Sequence, residues 1–161
     1  MGTRSNIGIV NQDGSVETIY CHWDGYPEHV GVVLAKWYRE EQVRTLLELG
    51  DRSSLHPEPT VKDSYGERGE VCPSRKNASI YEYAKSDKAG AEFVYLFKDG
   101  EWHVYETINP PYRQTETGEW EKDGEYAISP KGIIDEIDVK FKNGLPKGWS
   151  KKGWEPIKQD A

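Results

Sequence analysis

The chain changes from strand to helix within Ile19-Tyr20-Cys21-His22-Trp23-Asp24-Gly25-Tyr26-Pro27-Glu28-His29-Val30-Gly31. Before this stretch, apolar and polar residues alternate as in a β-strand, and after it apolar residues recur at helical spacing. Gly25 and Pro27 break both periodicities, so the middle of the stretch is predicted to be a loop. Residues 21–29 contain two His, one Asp, one Trp and one Tyr, which are more functional groups than a plain connection needs. This loop is therefore the candidate site.

Two β-hairpins are predicted on either side of this junction, at residues 4–20 and 92–106. Each has two alternating segments around a turn signal, Gln12-Asp13-Gly14-Ser15 in the first and Asp99-Gly100 in the second. The spacing of apolar residues predicts helices over 30–38 and 40–49.

The remaining segments carry weaker patterns. They predict a short strand and a loop over 61–75, a short helix over 78–84 capped by Asn77 or Ser79, a long exposed loop over 109–124, and strands over 125–129 and 133–141. The fold class predicted from these elements is α+β, with an antiparallel sheet built from hairpins and two helices packed on one face. We expect residues 1–142 to form a single domain and residues 143–161, which repeat Lys-Gly-Trp, to form a tail.

Composition and charge exclude several classes of protein. The net charge of -7 argues against a general nucleic-acid or anionic-membrane binder. No apolar run is long enough to span a bilayer, and no basic region followed by an apolar run marks a secretory signal. We therefore expect a cytoplasmic protein in which Cys21 and Cys72 stay reduced.

Several segments together resemble one known family. The matching residues are Met1-Gly2-Thr3-Arg4-Ser5, Ile19-Tyr20-Cys21-His22-Trp23-Asp24-Gly25-Tyr26 with His29 and Gly31, Leu49-Gly50-Asp51, Tyr65-Gly66 with Arg68-Gly69-Glu70, and Phe93-Val94-Tyr95-Leu96-Phe97. This pattern resembles a family of small proteins common in tailed bacteriophages and prophage regions, over roughly the first two thirds of the chain. The resemblance implies a viral accessory protein acting in the host cytoplasm, and many such proteins counter host defence.

The polar residues of the loop permit three interpretations. His22, Asp24 and His29 could work as general acid and base, with the carboxylate orienting an imidazole. With a cysteine they could instead bind zinc, although no metal-ligand spacing is present, and no metal or other cofactor is predicted. They could also simply brace the loop through hydrogen bonds to its backbone, which we favour.

Basic and aromatic residues point to a ligand. Arg4 and Arg68 are candidates for binding phosphate, because a guanidinium matches phosphate oxygens with paired donors, and Arg68 lies between Gly66 and Gly69. For Arg75 and Lys76 we favour ion pairing or solvation. Trp23 and Tyr26 flank Gly25 in the loop, where stacking on a base is plausible.

These observations favour a binding protein over an enzyme. The predicted function is to sequester a small anionic ligand, such as a signalling nucleotide, where the 21–29 loop meets the Arg68 loop. The predicted ligand-binding residues are Arg4, His22, Trp23, Asp24, Tyr26, His29 and Arg68. One alternative is direct inhibition of a host defence protein, and another is a metal-independent nucleotide phosphodiesterase or nuclease with His22 and His29 as acid and base. Exposed aromatics are also compatible with a homo-oligomer.

Overall fold

The computed structural model describes residues 2–133, which form an α+β fold as predicted. The strands are β1 Ser5–Val10, β2 Val16–Cys21, β3 Arg75–Asn77, β4 Phe93–Lys98, β5 Glu101–Ile108, β6 Tyr112–Gln114, β7 Trp120–Lys122 and β8 Ala127–Ile133. The helices are α1 Val32–Trp37, α2 Glu40–Leu49 and α3 Ile80–Lys85, with a π-helical turn at Pro27–Gly31 leading into α1 and a 3-10 turn at Tyr65–Arg68.

Six strands form the main sheet in the order β3-β2-β1-β4-β5-β8. The two predicted hairpins are confirmed, since β1 pairs antiparallel with β2 and β4 pairs antiparallel with β5. However, β1 and β4 are parallel, with Ile7 opposite Tyr95. The sheet is therefore mixed, because the chain between the hairpins returns to the end of the sheet at which β1 begins.

One face of the sheet packs on α1 and α2 and holds the larger core. Ile7 and Ile9 of β1 are buried there with Leu34 of α1, Leu46 of α2 and Trp102 of β5. The predicted placement of two helices on one face is thus confirmed. Because side chains alternate along a strand, the other residues of β1, β2 and β4 face the opposite side.

The opposite face is covered by α3. Val16, Tyr83, Val94 and Leu96 form a second, smaller buried cluster there. The predicted helix over 78–84 is confirmed with its cap, because the Ser79 hydroxyl accepts a hydrogen bond from the Glu82 amide. The range 61–75, predicted as a short strand and a loop, shares only Arg75 with β3, which pairs with β2.

The segment 109–124 was predicted as a loop, and it is exposed but not irregular. β6 and β7 pair antiparallel in a separate two-stranded sheet, around a turn closed by the Gly118 amide on the Thr115 carbonyl. Strands of three residues are too short to show the alternation that predicts them.

Two expectations fall outside what the structure describes. The strand predicted over 133–141 lies outside the described residues apart from Ile133, and so does the predicted tail over 143–161. Among residues 2–133, no helix combines the length and the apolar character needed to cross a bilayer.

The two cysteines are both free thiols in different surroundings. Cys21 is buried at the end of β2, and burial raises the pKa of its thiol to about 12, whereas Cys72 is partly exposed. Because the thiolate is the reactive form, we expect a thiol reagent to label Cys72 quickly and Cys21 only after unfolding. Mass spectrometry of the labelled native protein measures this. Equal labelling rates for the two cysteines would show that the end of β2 opens readily.

Candidate functional site

The 21–29 loop is held in place by its neighbours rather than by its own polar side chains. The His22 amide donates to the Arg52 carbonyl over 3.1 Å and the Trp23 amide donates to the Ser53 carbonyl over 2.8 Å. On the other side, the buried Tyr95 hydroxyl donates to the Gly25 carbonyl over 2.5 Å. The loop is therefore a rigid platform, although the bracing groups differ from the side chains that the sequence suggested.

Gly25 is required because the chain passes very close to β1. A methyl group at this position would lie 2.7 Å from the Ser5 Cβ and 2.8 Å from the Thr3 carbonyl oxygen. The Gly25 amide also donates to that carbonyl over 2.8 Å. Asp24, just before it, adopts a left-handed conformation with φ of 57°, which turns the chain between Trp23 and Gly25.

The first half of the loop faces Tyr20. The Tyr20 hydroxyl and His22 Nδ1 are 2.8 Å apart, within hydrogen-bond distance. The His22 ring meets the Trp23 ring edge-on, with centroids 4.6 Å apart, and Trp23 keeps 45% of its surface exposed. An exposed, oriented indole beside an imidazole is suited to contact a flat ligand.

The second half of the loop has different partners. The rings of Tyr26 and His29 are 6.3 Å apart. Burial lowers the pKa of His29, with the Asp24 carboxylate acting in the opposite direction and His56 adding to the decrease. In the part of the chain that the structure describes, no hydrogen bond or ring contact links His29 to His22, so the two imidazoles have separate surroundings.

His56 and Asp63 are two polar residues near the site that sequence reasoning missed. His56 Nε2 and Asp63 Oδ2 are 2.6 Å apart, and the Tyr38 hydroxyl donates to the His56 carbonyl over 2.7 Å. Both residues come from irregular chain, and their spacing matches no motif that could have indicated the pair.

Both candidate arginines lie beside tyrosines. Burial raises the pKa of Tyr20, and the Arg4 guanidinium opposes this increase. The Arg68 guanidinium lies 4.6 Å from the centre of the Tyr65 ring and forms an ion pair of 3.2 Å with Glu70. Burial also raises the pKa of Tyr65, with Tyr20 contributing in the same direction.

These contacts define one surface, which we call the Tyr20 face. Its members are Arg4, Tyr20, His22, Trp23, Tyr65 and Arg68. Four of the seven residues predicted to bind a ligand belong to it, namely Arg4, His22, Trp23 and Arg68, while Asp24, Tyr26 and His29 belong to the His56 side of the loop.

The buried carboxylate of Asp51 holds the backbone of Tyr20, a member of this surface, in place. The Asp51 carboxylate accepts a hydrogen bond from the Tyr20 amide over 2.9 Å and further hydrogen bonds from both terminal nitrogens of Arg75. The ion pairing favoured for Arg75 is confirmed, with a partner that sequence spacing did not suggest. Since Asp51 is neutralised by Arg75, its charge does not cancel that of Arg4 or Arg68.

The described residues provide no ligand set for a metal ion. Within residues 2–133, no group of three or more His, Cys, Asp or Glu side chains converges as a metal site would require.

Comparison with protein-family models, with curated proteins and with solved structures found no match to this chain.

Proposed function

We propose that the protein binds a small anionic ligand on the Tyr20 face. The observation that carries this proposal is the contact of the Arg68 guanidinium with the Tyr65 ring, together with the exposed Trp23 beside the Tyr20–His22 pair. Arg4 and Arg68 would neutralise phosphate oxygens, and Trp23 would stack on a base while His22 contacts its polar edge. A nucleotide combines these features in one molecule.

The family resemblance suggests what such binding would achieve. A phage accessory protein of this kind would sequester a host signalling nucleotide in the host cytoplasm and so counter a defence pathway. Nothing in this proposal requires turnover, because sequestration depends only on affinity and on the amount of protein.

A first experiment identifies what the protein carries. Native mass spectrometry of the full chain purified from bacteria, followed by denaturation and small-molecule analysis, should release a phosphate-bearing compound in near-stoichiometric amount. A ligand-free mass with a bound host protein would favour direct inhibition instead. Release of a hydrolysed nucleotide, together with turnover lost in His22→Ala, would favour a phosphodiesterase.

Arg68→Ala should weaken binding of that compound by about ten-fold or more, since a charge-assisted hydrogen bond contributes about 1.5–3 kcal/mol. The Arg68 side chain is 58% exposed and its partner Glu70 is also exposed, so the free energy of unfolding should change by less than about 1 kcal/mol. Isothermal titration calorimetry and urea unfolding measure the two effects.

Two further variants make the test of Arg68 specific. Glu70→Gln releases Arg68 from its ion pair and should leave binding unchanged or stronger. Arg113→Ala removes a similarly exposed arginine of the β6–β7 hairpin, which pairs with Glu121 and is not part of the Tyr20 face, and should not affect binding. Equal losses in Arg68→Ala and Arg113→Ala would mean that only overall charge matters.

A further inference from the structure

A small cavity lies between the sheet and the chain that follows α3. It has a volume of about 140 Å³ and is lined by residues including Asn6, Thr18, Tyr20, Arg75, Tyr83 and Lys88. This space holds a few water molecules or one small polyatomic ion, and it is too small for a nucleoside. Because Tyr20 lines it, the cavity opens onto the same surface as the proposed ligand site.

Lys88 brings a buried positive charge to this cavity. The residue is only 3% exposed, and its ammonium donates to the carbonyls of Ala84 and Ser86 over 2.6 and 2.7 Å. An ammonium has three N–H donors, so one is not used by these carbonyls. The Lys88 ammonium also lies 5.3 and 5.5 Å from the ring centres of Tyr83 and Tyr126. Among the described residues no carboxylate forms an ion pair with Lys88, and burial lowers its pKa to about 8, with Asp87 acting in the opposite direction.

Tyr83 supplies a second buried donor. Its hydroxyl oxygen accepts a hydrogen bond from the Asn6 side-chain amide over 2.8 Å. Burial raises the pKa of this phenol, so it keeps its proton at neutral pH. The Thr18 side chain, which also lines the cavity, is a second hydrogen-bond partner of this phenol. Because the Tyr83 oxygen accepts the bond from Asn6, the two hydroxyls together keep one proton for an acceptor in the cavity.

The charges around the cavity favour an anion. Arg75, Lys76 and Lys88 line it, whereas Asp87 is its one acidic lining residue in the described chain. Asp87 already accepts the Ala89 amide hydrogen over 2.9 Å. The Arg4 guanidinium lies against Gly90, next in sequence to the cavity-lining Ala89. The cavity is therefore lined by cations from β3 and from the chain after α3, of which Arg75 is already paired with Asp51.

We propose that this cavity holds one phosphate group, to which the Lys88 ammonium and the Tyr83 hydroxyl donate hydrogen bonds. Donors on several elements suit a tetrahedral anion, with oxygens on every side, better than a planar carboxylate. The proposal rests on the proposed function and deepens it: the phosphate of the ligand occupies the cavity, and the rest of the ligand crosses Tyr20 towards Trp23.

Titration of the full chain with inorganic phosphate, followed by phosphorus NMR and by the side-chain nitrogen signal of Lys88, tests the proposal. Phosphate should bind and should raise the pKa of Lys88, because a neighbouring anion favours the charged ammonium. Lys88→Met and Tyr83→Phe should each weaken phosphate binding by about ten-fold or more. Lys85→Met removes a partly exposed lysine of α3 that pairs with Glu82, and it should have no effect.

The pH dependence follows from the same group. Between about pH 7.5 and about pH 9.5 Lys88 loses its proton, so phosphate affinity should fall roughly ten-fold or more. The other charged groups lining the cavity are Arg75, Lys76 and Asp87. The bond to Asp51 raises the pKa of Arg75, burial raises the pKa values of Tyr20 and Tyr83, and the bond to Tyr112 raises that of Tyr126, so these four groups keep their protons. In Lys88→Met this fall should be absent.

The outcomes separate the two proposals. If a nucleotide binds and Lys88→Met and Tyr83→Phe bind it as tightly as the wild type, the cavity is not the phosphate site, although the proposed function stands. If inorganic phosphate binds through Lys88 while no nucleotide binds, the cavity assignment stands and the nucleotide proposal fails. If acetate binds as well as phosphate, the assignment to a tetrahedral anion is wrong.

Discussion

Trp102→Ala is expected to lower the free energy of unfolding by about 3–5 kcal/mol, a large part of the roughly 5–15 kcal/mol that stabilises a typical domain. Trp102 is 1% exposed and packs edge-on against Phe97, with ring centroids 5.3 Å apart. Its indole N–H donates to the Tyr38 carbonyl, at the end of α1, over 2.8 Å. The substitution removes both the packing and the link between sheet and helix. Urea unfolding measures the loss.

Two control variants separate these contributions. Trp102→Phe keeps an aromatic ring but loses the N–H donor, so it should destabilise the protein less than alanine does. Trp120→Ala removes an indole that is 68% exposed on β7, and it should change stability by less than about 0.5 kcal/mol. A large loss in Trp120→Ala would show that the β6–β7 hairpin is buried against another part of the protein.

Local patterns predicted the hairpins and α2 well, because alternation, turn residues and helical spacing can each be recognised within one continuous segment. The helix predicted over 40–49 has the same bounds as α2, and its apolar stripe, Val43, Leu46 and Leu47, is buried. The parallel pairing of β1 with β4 could not be predicted in this way, since it joins residues far apart in the chain and leaves no periodic signal.

The candidate site also combines contacts that local sequence predicts with contacts that it does not. The contact of His22 with Tyr20 and Trp23 follows from their positions at the end of one strand. In contrast, no periodic pattern in the sequence indicates that Asp51 and Lys88 are buried. Burial gives them their importance: Asp51 is covered by Arg75 and β2, and Lys88 by α3. Sequence composition does not report which polar residues are buried.

Arg52→Met is expected to destabilise the protein by about 2–4 kcal/mol, the second largest effect. Arg52 has no exposed surface, and its guanidinium donates to the carbonyls of Ser54, Thr60 and Lys62 over 2.6, 2.9 and 2.8 Å. Each buried carbonyl that loses its donor costs about 1–3 kcal/mol. Among residues 2–133, Nη1 of this guanidinium has no hydrogen-bond partner. Relief from burying the charge therefore offsets part of that loss.

The consequence of Arg52→Met should reach the Tyr20 face, because Arg52 and Ser53 accept the amide hydrogens of His22 and Trp23. Urea unfolding should show the lower stability, hydrogen exchange should be faster at the Ser53 and Ser64 amides, and ligand affinity should fall. Arg44→Met, at an exposed position on α2, is the matched control and should be neutral. If Arg52→Met is as stable as the wild type, desolvation of the guanidinium outweighs its three hydrogen bonds. The hydrogen bonds of Arg52 to the 52–64 segment would then add nothing to the free energy of unfolding. The position of Trp23 would depend only on backbone hydrogen bonds from its neighbours.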